Sequence, residues 1–225
     1  MKHAMPLAAT ALMLLSTAAM GQDLDRRIAA PGSDPANRAP MERVVLAGGC
    51  FWGQQAVFEH VKGVSKVVAG YSGGAKDTAT YPQVTTETTG HAESVEITFD
   101  PRIVSFGKLL QVYFSVAHDP TQLNFQGPDE GTSYRSEIFF STPAQEKTAR
   151  AYIGQLEAAH IFSGPIVTKV EQLKGFYPAE AYHQDYLIRH PTQPYIVYND
   201  LPKLEALKRV WPEFYRPDPV RLASR

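Results

Sequence analysis

An α+β fold is predicted for this chain of 225 residues by three observations. From Val44 to Ser141 its elements run strand, helix, strand, strand, helix, strand. One segment, "SVEITFD", alternates apolar and polar residues without a break. One helix has a clear start, Thr142-Pro143-Ala144-Gln145.

Val44-Val45-Leu46-Ala47 is a short apolar run of the buried-strand type, and Gly48-Gly49 permits a tight turn after it. Val57, Phe58 and Val61 then fall at helical spacing. "GVSKVVAG" returns as a strand. In "SVEITFD", Val95, Ile97 and Phe99 share one face and Ser94, Glu96 and Thr98 the other, which predicts a half-buried strand. Ser105 can cap a helix carrying Phe106, Leu109, Leu110, Tyr113 and Phe114, and "SEIFFS" is the next strand. The Thr142–Gln145 capping box, with proline at the first helical position, precedes Ala149, Tyr152, Ile153 and Leu156. "IVTKVEQL" is a further strand, and "YPAEAYHQDYLIRH" a short amphipathic helix stopped by Pro191. This order matches the split βαβ unit, a ferredoxin-like two-layer sandwich of mostly antiparallel sheet with helices on one face. The segments past Ser141 are expected to wrap that core.

The chain opens "MKHAMPLAATALMLLSTAAMGQDLDRR". A cationic start, an apolar run and small residues before Gln22 are the layout of a cleavable signal peptide, residues 1–21. The expected location is therefore the periplasm or the exterior. The alternative, an uncleaved anchor, is disfavoured by an apolar run shorter than the roughly 20 residues of a membrane span. Residues 22–40 carry three prolines and no periodicity, and are expected to be a flexible leader. Residues 41–225 are enough for a single domain with a real core. A net charge of −1 without a basic stripe excludes nucleic acid as the natural partner. With no sticky helix face, a monomer is expected.

The stretch "VVLAGGCFWGQQAVFEHV" holds the only cysteine of the chain, Cys50. An exported protein meets an oxidising compartment, where cysteines tend to pair. A single cysteine implies an intermolecular bond, a free reactive thiol, or a small buried hydrophobe. Its place at the start of a helix favours a thiolate and predicts a lowered pKa. Phe51 and Trp52 suit the walls of an apolar pocket, with packing against the sheet as the alternative. No two of the seven histidines sit at ligand spacing beside another ligand cluster, so no metal and no cofactor are expected.

The loops add polar residues. "GYSGGAKDTATYPQV" carries Tyr71 and Tyr81, "TTGHAESVEI" puts Glu93 before a strand, and "HDPTQLNFQGPDEGTSYRSEIFF" carries His118, Asp119, Asp129 and Tyr134. Singly, each fits ordinary packing, turn chemistry or solvation. Together, "GGCFWG", "GYSGG", "TYPQVTTETTGHAESVEITFDP", "HDPTQLNFQGPDEGTSYRSEIFF" and "FYPAEAYHQDYL" resemble, in order and spacing, the class A peptide methionine sulfoxide reductases. The resemblance runs from about Val44 to about Tyr198.

The resemblance implies reduction of methionine S-sulfoxide, free or in peptides and proteins, with Cys50 as the nucleophile that becomes a sulfenic acid. It assigns Glu93 as proton donor and Tyr81 and Tyr134 as hydrogen-bond donors to the sulfoxide oxygen. Phe51 and Trp52 would hold the S-methyl group, with Asp129 at the rim of the pocket. A donor role for Glu93 requires a pKa raised by burial, and Glu93 and Cys50 would then titrate as a coupled pair.

Three departures stand out. Gln54-Gln55 stands where many relatives have one residue and a glutamate. Pro128 precedes Asp129 where many have asparagine, which puts the reach of Asp129 in question. The tail lacks the resolving cysteines common in the family, so an external thiol, small or carried on a thioredoxin-like or glutaredoxin-like domain, must regenerate Cys50. Two readings outside the family compete: a cysteine–histidine hydrolase using His91, His118 or His183, and a non-catalytic binder of oxidised methionine.

Overall fold

The computed structural model describes residues 25–222. Its first strand, β1 (Glu42–Ala47), leads into α1 (Phe51–Glu59) and β2 (Val64–Ser72). A one-turn helix α2 (Tyr81–Val84) precedes β3 (Ala92–Phe99) and α3 (Phe106–Val112). A ribbon of β4 (Phe125–Gln126) and β5 (Asp129–Glu130) precedes β6 (Glu137–Phe140). The chain continues through α4 (Pro143–Ala158), β7 (Lys169–Gln172), β8 (Phe176–Pro178), α5 (Tyr186–Arg189) and α6 (Leu201–Val210).

The sheet order is β7-β6-β1-β3-β2-β8. Its central four strands pair antiparallel in the order of a split βαβ unit, with β7 parallel to β6 and β8 antiparallel to β2 at the edges. The apolar run of β1 is explained by burial on both faces: Val44 and Leu46 belong to the main core, Val45 and Ala47 to a smaller cluster with Ala92 and Phe139. Alternation in β3 sends Val95, Ile97 and Phe99 into the main core. By the same two-residue period Glu93 lies on that helix-covered face, which is how a carboxyl comes to be buried, at 3 % exposure.

Ser105 caps α3 by accepting from the Lys108 amide at 3.3 Å, and Thr142 caps α4 by accepting from the Gln145 amide at 3.2 Å. Gln145 reaches back to the Ser141 amide at 2.8 Å, a variant of the expected box. Beyond α3 the helix widens to a π-turn over Tyr113–Ala117, with Tyr113 and Phe114 fully buried.

Two expectations are corrected. The helix expected over residues 177–190 is broken into β8, a 3-10 turn (Ala181–His183) and the four residues of α5. Asp185 stands between them in the left-handed region, at φ 51°. The side chain of Gln184 bonds the backbone of Ala69 in both directions, at 2.9 and 2.8 Å, so tertiary pairing with β2 outweighs the local helical pattern.

The expected flexible leader is, from Asp25 on, a strap laid along the helices. Ile28 enters the main core at 4 % exposure, and its carbonyl accepts from Gln111 at 3.1 Å. Tyr152 Oη donates to Ala29 O at 2.7 Å, and the Gly107 amide donates to Asp34 at 3.1 Å. Composition showed that this segment cannot fold alone, but helix side chains supply the partners an extended backbone needs. The expected signal segment lies outside the described residues. Among those described, no helix is long and apolar enough to cross a membrane.

Candidate active site

The carboxyl end of β1 delivers the chain to Gly48 and Gly49. A Cβ on Gly48 would lie 2.8 Å from the His118 ring, and one on Gly49 2.5 Å from Gln126 Cγ, with Gly49 at φ 91°. Side chains are thus excluded at both positions, and the turn places Cys50 as the N-cap of α1.

Two groups share this helix start. The Phe51 N–H donates to Glu93 Oε2 at 3.0 Å, and Cys50 stands as the N-cap, where the Trp52 amide favours the charged form of its sulfur. Cys50 is 7 % exposed. Burial raises its pKa well above the ordinary thiol value, carboxylates at Glu93 and Asp200 raise it further, and the Trp52 amide opposes them. The lowered pKa expected from the helix start is therefore corrected: desolvation outweighs the helix dipole. Glu93 is pushed up to about 8, chiefly by burial, against the Phe51 N–H that favours its ionised form. Near neutral pH the site holds a thiol beside a neutral acid.

The aromatic residues named from sequence surround this pair. Phe51 is fully buried, tilted against Tyr71 and His183 at ring separations of 5.8 and 4.9 Å. Trp52 and both tyrosines, Tyr81 and Tyr134, are half-buried. Burial raises both phenol pKa values, and Glu93 and Cys50 raise them further, so the four groups act on one another electrostatically. Glu180 accepts from the Tyr81 amide and from Tyr71 Oη, both at 2.9 Å, fixing the start of α2. Asp129 accepts a hydrogen bond from Tyr195 Oη, so the loop containing Pro128 does bring it to the site.

Tyr186, Tyr195 and the Asp200–Lys203 pair were not singled out from sequence, and His183 was named only for a hydrolase. Trp52 donates to His183 Nδ1 at 3.1 Å, stacks on Tyr186 at 3.8 Å and meets Tyr195 edge-on at 5.8 Å. His183 and Tyr186 lie inside the motif "FYPAEAYHQDYL", whereas Tyr195 sits in a tail with no periodic signal. The buried pair Asp200–Lys203, at 3.2 Å, backs onto Gly53, where a Cβ would meet Asp200 at 2.1 Å.

Of the histidines proposed for a hydrolase, His91 and His118 are committed elsewhere. His91 bonds the Gly74 amide and Ala75 O, and His118 bonds Tyr113 O and Ser136 Oγ. His183 uses Nδ1 for Trp52, and its Nε2 lies 3.9 Å from Glu180. Among the described residues no group of three or more histidine, cysteine or carboxylate side chains could hold a metal ion.

A split βαβ fold that buries one thiol beside a neutral carboxyl and two phenols defines a cysteine-dependent enzyme. The chain belongs to the peptide methionine sulfoxide reductase family, whose model matches residues 42–214. It is 60 % identical over 196 residues to "Peptide methionine sulfoxide reductase MsrA 2" of Mesorhizobium japonicum, covering 87 % of this chain and 96 % of that one. Among solved structures it is similar to methionine sulfoxide reductase A of Corynebacterium diphtheriae. That likeness has a TM-score of 0.60 and 34 % identity over 76 % of this chain and 85 % of the other. Reduced Mxr1 of Saccharomyces cerevisiae gives 0.61 and 29 %, over 72 % and 92 %.

Proposed function

We propose that the protein reduces methionine S-sulfoxide to methionine, in free form or in peptides and proteins, and so repairs oxidised methionine. The observation that carries this reading is the shared seat of Glu93 and Cys50 at the start of α1. Phe51 and Trp52 hold the methyl group on sulfur. Tyr81 and Tyr134 donate to the sulfoxide oxygen, and Glu93 protonates it as charge builds there.

The Cys50 sulfur attacks the substrate sulfur and its own proton returns to Glu93. Glu93 gives this proton to the oxygen, which leaves the substrate sulfur as water. A water then attacks the Cys50 sulfur, the bond between the two sulfurs breaks, the thioether leaves, and Cys50 remains as a sulfenic acid with the water's proton returned to Glu93. One external thiol condenses with that acid, releasing water and forming a mixed disulfide. A second thiol restores Cys50 and leaves as the oxidised disulfide. Cys50 is the only cysteine of the chain, so no disulfide within the monomer enters the cycle.

The test is one reaction with methionine S-sulfoxide and dithiothreitol, beside Cys50→Ser. Methionine should form only with the wild type, and one equivalent per enzyme without reductant. An inert wild type, or an active serine variant, would overturn the reading. The site is read as working outside the cytoplasm after removal of residues 1–21. Amino-terminal sequencing of protein recovered from cell fractions tests that.

A further inference from the structure

We propose that Glu87 is a positioning residue: its carboxylate is a strut that fixes the turn of Tyr134 against the helix of Tyr81, so that both phenols address one substrate oxygen. The inference rests on the sulfoxide reduction argued above and adds a residue to it.

Glu87 stands three residues beyond α2, tied to it by its amide, which donates to Val84 O at 3.0 Å. Its backbone lies in the left-handed region, at φ 62°, which residues with a Cβ rarely adopt. The carboxylate is spent across a gap in the chain. Oε2 accepts from the Ser133 amide at 2.8 Å and from Thr132 Oγ1 at 3.1 Å, and Oε1 accepts from Ser133 Oγ at 2.7 Å. Thr132 and Ser133 are the first two residues of the 3-10 turn that ends in Tyr134. Gly131 opens this turn at φ 129°, and a Cβ there would lie 2.3 Å from the Glu87 carboxyl carbon. The two segments therefore meet without an intervening side chain.

A single 3-10 turn has few bonds of its own and poor geometry, so its orientation depends on outside partners. Here the turn closes on itself through Tyr134 N–H to Gly131 O, at 3.1 Å, and three charge-assisted bonds to one carboxylate tie it down. Arg135 adds a tie farther along, donating to Gly90 O at 3.1 Å. Glu87 is thus the group that joins the segment of Tyr81 directly to the turn of Tyr134. Two donors can stabilise one oxygen only if their separation is held.

The experiment uses Glu87→Gly, which suits the backbone at φ 62° and removes the carboxylate, and Glu87→Gln, which keeps an acceptor oxygen. Steady-state reduction of methionine S-sulfoxide with saturating dithiothreitol should show Glu87→Gly lowering kcat on the order of 10-fold with little change in KM. Glu87→Gln should recover much of the loss. In a Tyr134→Phe background, Glu87→Gly should have no further effect. Should Glu87→Gly not fold, Thr132→Val with Ser133→Ala removes the donated hydroxyls instead and carries the same expectation. An active wild type with an unimpaired Glu87→Gly sinks this proposal alone, as does an undiminished loss in the Tyr134→Phe background. A wild type inert toward sulfoxide sinks the reductase reading and this proposal with it.

Discussion

Phe51 donates its amide to Glu93 at 3.0 Å, which seats the carboxyl on the same helix start as the Cys50 thiol. Two ionisable groups compete there for one positive pole, and burial keeps both neutral near pH 7.

The first expectation concerns pH. As the proposed proton donor Glu93 would act in its protonated form, and burial pushes its pKa up to about 8, so kcat/KM for sulfoxide should fall as pH rises through that value. Glu93→Gln should lower the rate by roughly 10²–10⁴-fold, the range for losing a general acid, and erase the descending limb. It should also move Cys50 alkylation to lower pH, because a charge that disfavours the thiolate is gone. Superimposable alkylation curves for the two proteins would count against coupling.

His183→Ala removes the partner of the Trp52 indole and one of the rings packed on Phe51. A lost hydrogen bond of about 1–1.5 kcal/mol corresponds to roughly 10-fold. On the proposed reading Trp52 would hold the methyl group and not the departing oxygen, so that loss should show mainly in KM for sulfoxide. Steady-state kinetics on the variant check it, and an unchanged KM with a reduced kcat would contradict it.

Glu59 closes α1 at 1 % exposure, and burial followed by the neighbouring Asp185 pushes its carboxyl up to about 10. Above its ordinary pKa of 4.5 the unfolded chain releases this proton while the folded chain keeps it. The fold therefore loses stability as pH rises from 4.5 toward 10, by about 3 kcal/mol at pH 7. Glu59→Gln should remove that slope. Urea unfolding at pH 5, 7 and 9 should show the variant gaining on the wild type at each step.

A chain beginning at Met41 lacks the strap. It loses the burial of Ile28, about 1.5–3 kcal/mol, together with the bonds to Ala29, Ile28 and Asp34. Its Tm should drop by roughly 5 °C or more, with turnover retained at low temperature. Calorimetry on the two lengths would show it, and equal melting would mean the strap adds nothing.

What was legible in the sequence was set by neighbours along the chain. The buried run of β1, the alternation of β3 and the caps at Ser105 and Thr142 are local patterns, and each produced its element. The site residues could be named because their motifs are long. What failed depended on distant partners. Gln184 abandoned a helix for the backbone of Ala69, the strap took its bonds from α3 and α4, and the Cys50 pKa followed a desolvation that no count of neighbours in sequence reveals. Tyr195 and Asp200 join the site from a tail that bears no mark of it.

The ends of α6 give the molecule a front and a back. Asp200, at its start, abuts the helix turn that bears the reactive sulfur, whereas Arg209, at its finish, is ion-paired with Asp25 of the strap. Nine steps along the helix, about 13.5 Å, separate the two. The strap is thereby tied to α6 at the end remote from Cys50.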